Sequence, residues 1–245
     1  MENSLLIGLS RQTALRNQLN VVANNLANMN TTGFKAQRLL FEEYLMPVAE
    51  ASSFVDDDQD FSYVVDYGAS SNFEAGSISL TENAFDVAIE GDGFFVIDTP
   101  DGELFTRNGA FHLDSTGQMV TADGRPVLGD GGPLVFTAED TDVTIAEDGT
   151  ISSALGVKGR LRMVEFENPQ MLTRIGDNLF AGENPRPADR IRVLQGAVEK
   201  SNVSGVIEVT RMIEITRNYT AVSKMISEGD ELLRKAIERL GSVTA

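Results

Sequence analysis

Residues 17–35 read NQLNVVANNLANMNTTGFK, a stretch that ends a long amphipathic pattern in amides and then stops it sharply. Working back from it, Met1, Leu5, Gly8, Gln12, Leu15, Leu19, Val22, Leu26 and Met29 alternate steps of four and three. That spacing predicts a helix whose narrow seam lies along another helix. Asn24 and Asn28 stand one turn apart with their amides side by side, either as a fraying end or as buried amides that set the register of a docked partner. Thr31-Thr32-Gly33 then breaks the helix, because Gly33 can enter the left-handed region, and Phe34 is left to pin the chain.

A second seam runs through Met212, Ile215, Tyr219, Val222, Ile226, Gly229, Leu233, Ala236 and Leu240, and it is the stronger heptad. Val206, Ile207, Val209 and Ile213 widen its apolar face. Ser201 or Asn202 is the expected cap, Glu231 with Lys235 a supporting pair, and Gly241 the expected stop. At 1.5 Å per residue the two runs would be about 40 Å and about 50 Å long. Rods of that length at both ends of one chain suggest pairing.

Between the seams the apolar period changes to 2. Strands are expected at 77–80, 85–90, 94–98, 104–106, 110–114, 119–121, 143–145, 157–166 and 191–194. Thr99-Pro100-Asp101-Gly102, Asp114-Ser115-Thr116-Gly117, Asp123-Gly124, Asp130-Gly131-Gly132 and Glu147-Asp148-Gly149 mark the turns. The fold class expected is a mainly β central domain, an antiparallel and partly closed sheet, with N- and C-terminal α-helices pairing as a coiled-coil arm. The domains would be residues 1–38 plus 203–245 for the arm, 39–72 for an extended linker and 73–202 for the β domain. In the linker Asp56-Asp57-Asp58-Gln59-Asp60 lies beside Phe54, Phe61, Tyr63 and Tyr67.

The net charge is -17, but residues 1–40 carry +3 and residues 199–245 carry 0, so the middle holds -20. An acidic body repels phosphate backbones and anionic lipid, which argues against nucleic acid and direct membrane insertion. The two ends can approach one another without that repulsion. The absence of Cys removes disulfides, thiolate nucleophiles and sulfur-ligated metals. Ser10, Arg11, Gln12, Arg16 and Asn17 interrupt the first apolar run, so no cleaved signal peptide is expected.

No enzymatic constellation emerges, and no catalytic residue, metal or cofactor is expected. His112 is the sole histidine and reads as structural, since any triad or imidazole cluster would rest on it alone. Asp56, Asp58 and Asp60 begin like a calcium loop, but Phe61 stands where Gly is needed and Tyr67 where a bidentate Glu belongs. Gly91-Asp92-Gly93 is followed by Phe94-Phe95 and strand signals instead of a helix, so it reads as a turn. Asp86, Glu90 and Asp92 leave glycoside hydrolysis formally open, but carboxylates are common throughout this domain.

Ala23-Asn24-Asn25-Leu26-Ala27-Asn28, followed by Thr31, Thr32, Gly33, Phe34 and Lys35, resembles the N-terminal signature of the bacterial flagellar rod and hook proteins. Residues 91–96, 105–111 and 117–121 resemble the β domain of that family, and 195–203 with 212–214 and 217–219 its closing segment. The short length and the lack of a second large β insertion favour a rod member, the proximal one, with the distal one as the alternative.

The resemblance implies a structural subunit of the periplasmic axial rod, passed unfolded through the flagellar export apparatus. Its partners would be itself and other proximal and distal rod proteins. The assembly interface is then expected at Leu5, Leu15, Leu19, Val22, Asn24, Leu26, Asn28 and Phe34, with Met212, Ile215, Tyr219, Val222, Ile226, Leu233 and Leu240. A different class, a soluble coiled-coil oligomeric binding protein with a β head, shares the same heptads.

Overall fold

The computed structural model describes residues 2–45, 62–188 and 191–242, with side chains at 6–40, 69–188, 191–235 and 237–239. Two helices and a succession of short strands make up these residues, which divide into two compact units. The first unit draws on residues 1–26, 37–70 and 205–245; the second on 27–36 and 71–204.

In the first unit, helix α1 spans Glu2–Ala27 and helix α2 spans Gly205–Ser242. Glu208 in the first turn of α2 and Arg239 in the last complement the helix dipole, and Lys235 pairs with Glu231 at 2.6 Å, as its spacing predicts. Gly241 does not stop α2 but lies within it. Strands β1, Gln37–Leu45, and β2, Ser62–Ser71, pair with each other in a two-stranded sheet. The stretch expected as an extended linker therefore contains a strand pair, hidden because neither strand shows a clear alternation without its partner. Phe54, Phe61 and the acidic run 56–60 lie outside the described residues.

The second unit is built around β5, Gly93–Thr99, which follows β3, Ile78–Leu80, and β4, Val87–Glu90, and precedes β6, Gly102–Thr106. β5 and β6 form a hairpin in register from Phe95 opposite Thr106 to Thr99 opposite Gly102. Gly102 holds φ +121, which the tight turn requires. The full sheet has six antiparallel strands in the order 173–176, 179–181, β6, β5, 163–165, 186–187.

Five consecutive residues of β5, Gly93 to Ile97, are buried, so both faces of the sheet are covered. Alternation then sorts the side chains. Phe95 and Ile97 enter one core with Phe111, Met119, Val127 and Ile151. Phe94 and Val96 enter a second with Phe73, Phe105, Val164 and Phe180. In the second core Phe73 meets Phe94 and Phe180 edge-on at 5.6 and 5.1 Å. Each such side chain contributes about 1.5–3 kcal/mol by leaving water.

Smaller antiparallel pieces complete the unit: β4 with 192–195, β3 with 197–199, and a three-stranded sheet of 144–145, 150–153 and 156–160. No described sheet closes on itself, so the expected partial closure is replaced by an open sheet flanked by small ones. The single strand expected over 157–166 is two strands in different sheets, separated by buried Leu161.

Candidate assembly interface

The seams of α1 and α2 supply one hydrophobic cluster. Leu15, Val22, Ile215 and Val222 are buried in it, and Leu19, Met212, Tyr219 and Ile226 pack against them half-buried. Gly8 belongs to the same seam: a Cβ there would come within 3.0 Å of Ile226 Cγ1, so the small residue admits a close approach. Leu26 and Leu233 are half-buried, while Leu5 and Leu240 lie outside the residues whose side chains are described.

Much apolar surface is left over on the same helices. Leu6 and Leu9 on α1 are exposed, as are Val206, Val209, Ile213, Met225, Leu232 and Ile237 on α2. Val206, Val209 and Ile213 follow steps of three and four, so they form a stripe of their own. Met225 and Leu232, seven residues apart, make another. Exposed apolar stripes of this kind are a feature of interaction surfaces.

Near the end of α1 the buried amide is neither Asn24, which is exposed, nor Asn28, which is half-buried, but Asn25. Its Oδ1 accepts the Gln37 N–H at 2.9 Å, and its Nδ2 donates to the Gln37 carbonyl at 2.9 Å and to Glu208 Oε2 at 3.3 Å. Glu208 is itself buried and accepts from Arg211 at 2.9 Å. The amide thus ties the start of β1 to both helices. A groove of about 320 Å³ runs alongside, its lining combining apolar Val21, Val22, Leu39 and Ile215 with polar Gln18, Arg38 and Arg211.

Residues 27–36, which follow α1, belong to the β unit. Thr31 N–H bonds the Asn28 carbonyl, and Gly33 turns at φ +65, where a Cβ would run into the backbone of Arg107 and Asn108. Phe34 is fully buried, with the Arg174 guanidinium 4.4 Å above its ring. It therefore serves inside this unit. Asn202, expected as a helix cap, instead accepts the Ala36 N–H and donates to the carbonyls of Asn72 and Glu74.

Lys35 is buried on Glu199, Nζ to Oε1 at 2.7 Å, and Arg107 stands 3.8 Å from the other oxygen of the same carboxylate. Burial holds Lys35 and Arg107 below their usual values, with the Glu199 charge opposing that effect.

The residues weighed for catalysis do not converge. His112 is exposed on the strand 112–113 and is not a core residue. Asp86 is held by Thr81 at 2.6 Å and Asn83 at 3.1 Å, while Glu90 and Asp92 are exposed beside the turn at Gly91. Among the described residues no group of three His, Asp or Glu is placed to hold a metal.

Three family models match in the chain order expected from the quoted motifs. They are the flagella basal body rod protein over residues 5–35, the flagellar hook protein FlgE/F/G D1 domain over 88–153, and the flagellar basal body rod FlgEFG protein C-terminal over 194–239. The flagellar basal-body rod protein FlgF of Caulobacter vibrioides is 39% identical over 247 residues, covering 99% of this chain and 100% of its own length. This chain belongs to the flagellar basal-body rod and hook family. FlgF of Mesorhizobium japonicum is 33% identical with 99% of each chain covered, and FlgG of Bacillus subtilis 33% identical with 97% of this chain and 98% of its own covered. Both named groups are rod proteins.

Within the rod and hook family signature, the residues to which sequence reading gave no structural role are Asn25, Lys35, Arg107, Glu199 and Glu208. All stand in or beside the quoted motifs. Their charge and polarity read as surface, and only a partner far along the chain turns them inward.

Proposed function

We infer that this chain is a non-enzymatic structural subunit of the flagellar basal-body rod, of the FlgF kind, assembled through its terminal helices. The observation that carries the reading is the apolar surface left on α1 and α2 after their shared cluster has formed. Ordering a residue costs on the order of 1–2 kcal/mol, and a seam side chain returns about 1.5–3 kcal/mol only when fully buried. Ile226, Tyr219 and Leu19 reach only half-burial, so covering by neighbouring subunits supplies the remainder.

In this reading α1 and α2 wind as a coiled coil, which the alternating steps of three and four and the close approach at Gly8 support. The assembly residues are those of the two seams, with Leu5 and Leu240 at their far ends, Asn24 on the exposed face of α1 and Asn28 just beyond its end, whereas Phe34, fully buried, fixes the segment 27–36 within the β unit. The chain's neighbours in this reading are further copies and other rod proteins. Passage through the flagellar export apparatus into the periplasm fits a chain without cysteine, which needs no disulfide to fold. No described helix is long and apolar enough to cross a membrane.

The test is incorporation. Leu19→Asp, Leu26→Asp, Ile226→Asp and Leu233→Asp are each expected to block rod assembly and swimming while the β unit keeps its fold by circular dichroism. Normal rods from these variants would overturn the reading. The full-length match to FlgG sustains a distal-rod alternative. Complementation of single flgF and flgG deletions by this chain separates the two.

A further inference from the structure

Lys35, Arg107 and Glu199 have side chains exposed by no more than 2%, and together they place two positive charges against one negative. Glu199 is the shared counter-ion. Its Oε1 accepts from Lys35 Nζ and from the Gly76 N–H, both at 2.7 Å, and its Oε2 faces Arg107 Nη1 at 3.8 Å. Arg107 Nη2 donates to the Gly91 carbonyl at 2.6 Å, but its Nε and Nη1, and Glu199 Oε2, find no hydrogen-bond partner. Asp92, 4.0 Å from Arg107 Nη2, is almost wholly exposed and offsets little.

The backbone follows the same pairing. Gly33 N–H bonds the Glu199 carbonyl at 2.7 Å, Ala36 N–H bonds Asn202 Oδ1 at 2.8 Å, and Lys200 N–H bonds the Ser77 carbonyl at 2.8 Å. Residues 33–36 are thus laid on a segment 164 positions further along the chain. Glu199 arrives there on the strand 197–199, which pairs with β3 so that Glu199 stands opposite Ile78. Removing an ion from water costs several kcal/mol unless a counter-charge and hydrogen bonds meet it. Without the strand 197–199, Lys35 would enter this pocket beside Arg107 with no buried anion, only the exposed Asp92 carboxylate remaining nearby.

We propose that Lys35, Arg107 and Glu199 form a closing latch: the strap 27–36 docks on the β unit only when the last strand has delivered Glu199. The strap and the segment leading into α2 are then fixed in one event. A chain lacking its C-terminal strand leaves the strap free, so docking reports that the β unit is complete. Its use as a check on subunits before assembly rests on the rod reading; the latch itself does not.

Hydrogen–deuterium exchange on the full-length chain tests it. Glu199→Gln leaves two buried cations without a buried counter-ion and is expected to speed exchange at the Gly33 and Ala36 amides at least 100-fold, with the β5–β6 ladder unchanged. Adding Lys35→Met removes one of those cations and is expected to restore at least tenfold of that protection. Lys35→Met alone leaves Arg107 and Glu199 balanced and should change strap exchange by less than tenfold. Wild-type strap exchange in Glu199→Gln would overturn the latch. So would an equal loss of protection throughout β5–β6, or a double variant no better than Glu199→Gln. These outcomes are read on the isolated chain, so they stand apart from success or failure of rod incorporation.

Discussion

Asn25 brackets the backbone of Gln37, accepting its N–H and donating to its carbonyl, each at 2.9 Å. A side chain on α1 thereby acts as the missing strand neighbour for the first residue of β1, and its second donor contact reaches Glu208 on α2. Asn25→Leu leaves both Gln37 groups and the buried Glu208 carboxylate short of partners. It is expected to destabilise the helical unit by about 2–4 kcal/mol, against about 0.5 kcal/mol or less for Asn24→Ala on the exposed face. Urea titration followed by far-ultraviolet circular dichroism checks the contrast; equal effects would remove Asn25 from this role.

Gly33 and Gly124 both sit at positive φ, +65 and +76, but only Gly33 is crowded. Gly124→Ala meets nothing within 4 Å and should cost about 1 kcal/mol of backbone strain alone. Gly33→Ala adds a clash with the Arg107 and Asn108 backbone, and the expected loss exceeds about 3 kcal/mol. Chemical denaturation of the β unit decides between them.

Val222 and Ile215 are buried in the helix cluster, whereas Met225 on the next turn is 70% exposed. Ile215→Ala and Val222→Ala are expected to lower stability by about 2–4 kcal/mol and 1–3 kcal/mol, and Met225→Ala to leave the isolated chain within about 0.5 kcal/mol of wild type. Met225→Asp should nevertheless impair rod incorporation, because its surface would be covered only by a neighbour. Thermal melts paired with motility assays separate the two kinds of site.

Asp114, Asp140 and Asp148 are all held below the ordinary aspartate value of 3.8. For Asp140 the first cause is Lys158, 2.7 Å away, followed by Ser153 and the Thr137 N–H. Asp114 is held chiefly by Thr116 and Gln118, and Asp148 by Thr150. A carboxylate lowered in the folded chain stabilises it fully above the unfolded value and ceases to do so as pH falls through the folded one. The β unit should therefore keep its stability down to about pH 4 and lose it below, with a shallower acid limb in Asp140→Asn. Urea midpoints measured from about pH 6 down to about pH 2 check this; a flat profile would contradict it.

The legible parts of the fold were those specified by neighbours in the chain. The β5 run of apolar residues, the turn at 99–102 and the Glu231–Lys235 pair could be read directly, because each needs only residues within a few positions. The break at Leu161 could not: strands 156–160 and 163–165 continue one period-2 pattern, and only their different partners show that the chain changes sheets. β1 and β2 were hidden for the same reason. The amide at the end of α1 was expected at Asn24 and Asn28 from helical spacing, yet burial falls on Asn25, because the deciding partner is the β1 backbone.

By itself the amino-acid sequence determined two helical seams, an antiparallel β middle with its turns, an uneven charge and a family signature, all of which are local or compositional. Only the tertiary structure decided which polar groups go inside. Lys35, Arg107 and Glu199 look like surface charges in the chain, and they are buried because segments 164 residues apart close on one carboxylate. The cost of desolvating a charge is met by a partner in space, and sequence distance does not disclose which partner that will be.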